Sequence, residues 1–139
     1  MKRPLLSLTL LVCLFQANIS VAAGYAVVVS TNTPVTIMEA RNIRDVFLRK
    51  RNFESEVRMF PVNILGDEMV RRTFEQLILK MNRDQLNRYW VESHFQGVSP
   101  PATQASLTSV KRFVERVDGA IGYLPVGMVD ERLRVIYEF

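Results

Sequence analysis

Residues 25–30 read Tyr-Ala-Val-Val-Val-Ser, a short run with three successive β-branched valines that is apolar at every position between its ends. A continuous apolar run of this length predicts a β-strand that is buried on both faces. Such a strand belongs in a sheet that helices cover on both sides, so amphipathic helices should follow it. A polar loop, residues 30–34, comes directly after the strand.

Four later segments have the apolar spacing of amphipathic helices. Thr36 and Glu39 are spaced as a capping box before the first of them. Asp67, Asn82 and Ser106 are each placed to cap one of the other three. The predicted helices span about 37–49, 67–81, 83–96 and 106–117.

Three further segments read as strands, at 57–62, 120–124 and 133–139. The last one alternates apolar and polar residues, which is typical of a half-exposed strand. Strands that alternate with helices imply crossover connections. The sequence therefore predicts an α/β domain with three layers, in which a mixed or parallel sheet is flanked by helices. Tyr89 and Trp90, near the middle of a predicted helix, are expected to pack in the core.

The N-terminus has the features of a cleavable signal peptide. Lys2 and Arg3 are followed by an apolar stretch at 5–15, and Val21-Ala22-Ala23 places small residues before a cleavage site at Gly24. The apolar stretch is shorter than the roughly 20 residues that span a bilayer. We therefore expect residues 1–23 to be removed and 24–139 to be a single periplasmic domain that is not inserted in the membrane.

Composition excludes several classes of function for this predicted mature domain. Without Lys2 and Arg3, 16 of the 18 basic residues remain against 14 acidic ones, and a net charge of +2 argues against a nucleic-acid partner. Cys13 lies in the signal segment, and His94 is the single histidine, so no metal site or cofactor is predicted. No G-x-S-x-G nucleophile motif is present, and no enzymatic activity is expected.

Several short motifs resemble, in order, the PstS-like phosphate-binding proteins of ABC uptake systems, within the type II periplasmic-binding-protein superfamily. Residues 43–50 (Ile-Arg-Asp-Val-Phe-Leu-Arg-Lys) are similar to the family's "IxxIFLGK" helix end, and 71–74 to its "R-x-x-F" helix start. Residues 89–101 match its "YW…F.G…PP" segment, and 119–124 (Gly-Ala-Ile-Gly-Tyr-Leu) match its "GAIGYV" strand. Residues 133–136 fall where the family has "VKVL". The resemblance covers nearly all of 24–139.

The resemblance implies the fold of one lobe of a two-lobed receptor, in which the ligand lies between the lobes. The sequence departs from the family pattern at one position and in one segment. Arg49 stands where the family has glycine, and residues 63–68 replace its Ser-Gly-Thr phosphate loop. The acidic pair Asp67-Glu68 would repel phosphate at the start of the following helix.

Two groups of residues are candidates for binding. Ser30, Thr31 and Asn32 follow the first strand, where hydroxyl and backbone N–H groups can hold an oxyanion, and Arg71 is the expected charge partner. A polar turn and an Arg71–Glu75 contact on a solvated helix face are the structural alternatives. Arg49, Lys50 and Arg51 are candidates for docking an acidic partner, and a solvated face is again the alternative.

Two functions follow from these observations. The first is a periplasmic solute-binding domain for phosphate or a related oxyanion, which serves an ABC uptake system. The second is a single-lobe interaction module without a transport ligand, which docks on an envelope sensor, channel or transport assembly, or on a second copy of itself.

Overall fold

The computed structural model describes residues 24–66 and 68–139. The predicted signal segment, 1–23, lies outside the described residues, as does Asp67. The strands are β1 Tyr25–Ser30, β2 Phe53–Glu54, β3 Val57–Arg58, β4 Phe60–Ile64, β5 Ala102–Gln104, β6 Ala120–Pro125 and β7 Leu133–Glu138. The α-helices are α1 Ala40–Phe47, α2 Met69–Phe74, α3 Arg83–Phe95 and α4 Leu107–Arg116. α2 continues as a π-helical turn, Glu75–Leu79, and Val126–Met128 form a 3-10 turn.

Five strands form one mixed sheet in the order β5-β4-β6-β1-β7. β4 is parallel to both β5 and β6, whereas β1 is antiparallel to both β6 and β7. β2 and β3 form a separate small hairpin. β1 lies inside the sheet and all its residues from Ala26 to Ser30 are buried, as its apolar run predicted.

Neighbouring residues of β6 show that helices cover both faces of the sheet. On one face, a side chain at Gly122 would come within 3.0–3.1 Å of Val114 and Val110 of α4. On the other, the ring of Tyr123 stacks on Phe74 of α2 with centroids 4.1 Å apart, and Phe74 contacts Phe47 of α1 at 4.7 Å. The predicted three-layer α/β architecture with a mixed sheet is confirmed.

The structure differs from the predicted element bounds in three places. α1 begins at Ala40 and not at 37, because the segment before it is extended and the amide of Met38 donates to the carbonyl of Ile136 in β7. The predicted strand at 57–62 is divided between the β2–β3 hairpin and β4. β5 was not predicted, because Pro100-Pro101 directly before it indicated a loop. In contrast, Asn82 caps α3 through a complete capping box with Gln85, as its position indicated.

Trp90 is only partly buried, and Phe95 on the same helix is 84% exposed. α3 buries Leu86 and Ser93, and Tyr89 donates its hydroxyl proton to the carbonyl of Leu48 at 2.6 Å. Tyr89 and Trp90 are both partly buried and pack against the core, which agrees with the expectation for the two rings.

Within residues 24–66 and 68–139, three non-glycine residues have left-handed backbone conformations: Arg49, Ser55 and Lys80, with φ of 60°, 53° and 56°. Left-handed geometry costs a residue with a side chain roughly 1–2 kcal/mol. This explains why the resembling family has glycine at the position of Arg49, where the chain turns out of α1.

Replacing Arg49 with glycine should raise the free energy of unfolding by about 0.5–1 kcal/mol, because the relieved backbone strain exceeds the added entropy of the unfolded chain. Urea denaturation followed by circular dichroism measures the change. Lys50→Gly is the matched control, since the backbone of Lys50 is not in the left-handed conformation. This variant should lower stability. A loss of stability in Arg49→Gly would contradict this interpretation.

Candidate ligand-binding site

The parallel strands β4, β5 and β6 end together at one edge of the sheet, at Ile64, Gln104 and Pro125. We call this the carboxyl edge. In open α/β sheets ligands bind outside the carboxyl ends of the parallel strands. β1 runs the other way, so its last residue, Ser30, lies at the opposite edge, beside the start of β6.

The predicted oxyanion site is therefore divided between the two edges. Val29 pairs with Ile121, which places Ser30 level with the beginning of β6. Arg71, in contrast, donates from Nη1 to the carbonyl of Ile64 at 2.8 Å, at the end of β4. About four residues of strand, or roughly 13 Å, separate the two ends. Ser30, Thr31 and Asn32 thus cannot share one small anion with Arg71, and the expected pairing is wrong because it did not take the direction of β1 into account.

The loop after β1 is closed around another arginine. Arg134 of β7 donates from its guanidinium to the carbonyls of Thr33 at 2.7 Å, Val35 at 3.2 Å and Thr31 at 3.2 Å. The hydroxyl of buried Ser30 accepts from the amide of Asn32 at 3.2 Å, and that of Thr31 donates to the carbonyl of Arg132 at 3.3 Å. These hydroxyl groups are hydrogen-bonded within the protein, as in the structural alternative of a polar turn.

At the carboxyl edge, Arg71, Glu75 and Arg83 form an ionic cluster. Nε of Arg71 lies 2.8 Å from one oxygen of Glu75, and Nε of Arg83 lies 3.2 Å from the other. The side chain of Glu75 is only 6% exposed and that of Arg71 is 16% exposed. The cluster contains two arginines and one glutamate. We call it the Arg71–Glu75–Arg83 cluster.

Tyr123 lies next to this cluster and remains neutral. Burial raises the pKa of Tyr123 far above its ordinary value, which Arg71 partly opposes and Glu75 reinforces. The phenol therefore stays protonated and donates to the side-chain oxygen of Asn63 at 2.9 Å. The pair formed by Tyr123 and Asn63 is neutral, so it adds no charge beside the cluster.

The local sequence explains part of this arrangement. Arg71 and Glu75 are one turn apart, so they contact each other whether or not they face solvent. Their burial was not predicted, because it results from Phe74 packing on the sheet between them. Arg83 was missed entirely, because it belongs to the next helix, and only the left-handed turn at Lys80 brings it back to Glu75.

An arginine at the carboxyl edge can bind an oxyanion through charge and paired hydrogen bonds. Here Glu75 competes with such a ligand, because it already accepts from the same guanidinium. The same edge also exposes three apolar side chains, on Leu65, Met69 and Val126, of which 58%, 59% and 39% is accessible.

Two residues of the predicted docking patch, Lys50 and Arg51, contact other parts of the domain near the end of α1. Arg51 donates to the carbonyl of Phe53 at 2.7 Å and to Asn42 at 3.0 Å, and it pairs with Glu54 at 3.2 Å. The amine of Lys50 lies 5.7 Å above the ring of Tyr89. Arg49 is the left-handed residue described above. Docking at Arg49, Lys50 and Arg51 stays a prediction, with two of the three side chains engaged within the domain.

Within residues 24–66 and 68–139, no group of three or more histidine, cysteine, aspartate and glutamate side chains could hold a metal ion. In the same part of the chain, no helix has both the length and the apolar character needed to span a membrane.

Breaking the Arg71–Glu75 pair should destabilise the fold, because Glu75 is then buried with only one partner. We expect Arg71→Met to lower the free energy of unfolding by about 2–4 kcal/mol. The double variant Arg71→Met/Glu75→Met should recover at least about 1 kcal/mol, since no carboxylate remains unpaired. Urea denaturation measures both. Arg112→Met, on the exposed face of α4, is the control and should change stability by less than about 0.5 kcal/mol. A double variant less stable than the single one would refute this role of Glu75.

Solved structures of similar fold include the following two proteins. One is a candidate phosphate ABC transporter substrate-binding protein from Clostridium perfringens, solved with bound phosphate, with a TM-score of 0.66 and 18% identity over 82% of this chain. The other is an ABC-type phosphate transport receptor from Vibrio cholerae, with a TM-score of 0.64 and 20% identity over 82% of this chain. No family model and no curated protein sequence matches the chain.

The chain spans less than half of these two proteins, 44% of the first and 45% of the second. At this level of identity the likeness concerns the fold. Over 82% of its length the chain shares the α/β fold of part of these two proteins, which confirms the fold that the resemblance of the ordered motifs implied.

Proposed function

We propose that this chain is a periplasmic solute-binding domain that binds phosphate or a related oxyanion at its carboxyl edge and serves an ABC uptake system. The observation that carries the proposal is the position of Arg71 at the carboxyl ends of the parallel strands, in a fold shared with two phosphate-transport proteins. Export through residues 1–23 as a signal peptide is part of the proposal.

The contacts of Arg71 determine the expected affinity. The described residues offer a half-open site, so water screens the charge of a bound anion on one side. Glu75 also pairs with the guanidinium of Arg71, which is the group that the anion would have to bind. We therefore expect weak binding of inorganic phosphate, with a Kd of about 0.1–1 mM, equivalent to about −4 to −5.5 kcal/mol.

Isothermal titration with inorganic phosphate tests the proposal. Arg71→Met should weaken binding by about 10-fold or more, which is the loss of one charged hydrogen-bonding partner. Glu75→Gln should strengthen binding by several-fold, because it removes the competing charge and keeps the shape of the side chain. Arg112→Met, which changes the net charge equally but lies on α4, should bind as the wild type does. Equal affinity in wild type, Arg71→Met and Glu75→Gln would exclude Arg71 from the site.

The second candidate function is docking, and the exposed apolar residues of the carboxyl edge favour it. Leu65, Met69 and Val126 surround the same strand ends, and a second copy of the chain or an envelope protein would bury them. Sedimentation velocity and crosslinking in the periplasm test this function. A Leu65→Ser variant should lose the association; a strictly monomeric wild-type chain with no recovered partner would rule docking out.

A further inference from the structure

The helix α3 has apolar side chains on two opposite faces. Toward the domain it buries Leu86, and the rings of Tyr89 and Trp90 are partly buried against the core. On the other side of the helix, Val91 is 59% exposed and Phe95 is 84% exposed. An amphipathic helix of a monomeric domain normally has one apolar face. Packing within the described part of the domain therefore does not account for the outer apolar residues of α3.

A groove runs along this outer face. Its volume is about 500 Å³, and it lies between the C-terminal half of α3 and the loop that follows the helix. The residues that line it are Asn87, Trp90, Val91, His94, Phe95 and Pro100. Positions 87, 91, 94 and 95 are spaced i, i+4, i+7 and i+8, which is the spacing of residues on one helix face. No member of the Arg71–Glu75–Arg83 cluster lines the groove, so it is separate from the proposed phosphate site.

The groove has a fixed wall and a projecting side chain. The ring of Trp90 packs edge-on against Tyr89, with centroids 4.9 Å apart, and Tyr89 is itself held by its hydrogen bond to the carbonyl of Leu48. The ring of Phe95, in contrast, projects into solvent. Contiguous exposed apolar groups mark interaction surfaces, and aromatic side chains that fill a pocket are the usual anchors of an interface. The outer face of α3 therefore offers both an anchor and a pocket.

Two opposite charges border these apolar residues on one flank of the helix. Arg88 and Glu92 are one helical turn apart, and both are exposed. Within residues 24–66 and 68–139, neither of them takes part in an ion pair. Both charges are therefore available to a partner that presents the opposite sign at each position.

A second copy of the chain presents such a pattern when its α3 is antiparallel to the first. A two-fold axis near Val91 brings the same flank of both helices together, with Arg88 of each copy about 3 Å along the helix axis from Glu92 of the other. A parallel pair would instead place like charges level with each other. The antiparallel axis also places Phe95 of one copy level with Asn87 of the other, at the wall of its groove. The face is complementary to itself in charge and in shape, as a two-fold interface requires.

We propose that two copies of this chain associate through α3, antiparallel about an axis near Val91. Each Phe95 lies in the groove of the other copy, and Arg88 pairs with Glu92 across the interface. This interface is separate from the carboxyl edge, which stays free for an envelope partner, and it does not depend on phosphate binding at Arg71.

The size of the surface determines the expected affinity. α3 has 13 residues and is about 20 Å long, so one face of it and the adjoining loop bury an area at the low end of specific interfaces, about 1,200 Å² in total. We therefore expect a weak dimer, with a Kd of about 10–100 µM.

Sedimentation velocity, at concentrations that span this range, measures the association. Phe95→Ser should weaken it about 10-fold or more, because the variant removes the side chain that fills the groove. Phe95 is exposed, so the fold should be kept, and circular dichroism checks this. Ile37→Ser is the matched control, since Ile37 is 77% exposed and does not line the groove; this variant should associate as the wild type does.

Charge reversal tests the antiparallel arrangement. Arg88→Glu and Glu92→Arg should each weaken the association about 5-fold, because each variant brings like charges together twice in a symmetric dimer. The double variant Arg88→Glu/Glu92→Arg exchanges the two signs and restores opposite pairs, so it should associate within about 2-fold of the wild type. Apolar association without a defined register would not show this recovery.

Several results would overturn the proposal. One is a wild-type chain that stays monomeric throughout, including the case in which crosslinking at α3 in the periplasm recovers a different protein. Others are unchanged association in Phe95→Ser, and a double charge variant that associates no better than the single ones. Association that is lost in Leu65→Ser but kept in Phe95→Ser would assign the dimer to the carboxyl edge and would also overturn it. Failure of the phosphate proposal has a different signature, because it is measured with inorganic phosphate and Arg71→Met.

Discussion

The antiparallel pairing of β1 with both β6 and β7 determines where the polar groups of this domain lie. Because β1 opposes its neighbour β6, the loop after β1 leaves the sheet at the edge where the parallel strands begin. The residues at the carboxyl edge of those strands are therefore the ones that follow β4 and β6. Arg71 comes to this edge because α2 follows β4, and it contacts the last residue of that strand. The direction of one strand therefore separates a structural loop from a candidate binding edge.

Two arginines with opposite roles illustrate this separation. The guanidinium of Arg134 donates hydrogen bonds to three backbone carbonyls of the 30–35 loop. These bonds stabilise a turn that would otherwise leave carbonyl oxygens unpaired. Arg71 makes one backbone contact and pairs with Glu75, a carboxylate that a ligand can displace or a mutation can remove. Buried ion pairs add little net stability, so the conformational constraint on Arg71 matters more than the energy of the pair.

The sequence predicted much of the fold and only fragments of the site. Apolar runs and caps indicated β1, α3, α4, β6 and β7, because these elements are determined by local periodicity and by residues such as Asn82 and Ser106. β5 was missed since its three residues form a strand only by pairing with β4. Arg71 was named as a candidate because it lies in the first turn of a predicted helix. The spacing of Arg71 and Glu75 indicated their contact, but the burial of Glu75 depends on tertiary packing, and the contribution of Arg83 depends on the left-handed Lys80.

We propose that ligands bind this domain at the carboxyl edge of β4 and β6, and not at the loop after β1. Titration of the ¹⁵N-labelled chain with inorganic phosphate, followed through its backbone amide signals, tests this claim residue by residue. We expect saturable shifts at Leu65, Gly66 and residues 68–71, with the signals of Thr31 and Asn32 unchanged. Shifts confined to residues 30–33 would contradict it.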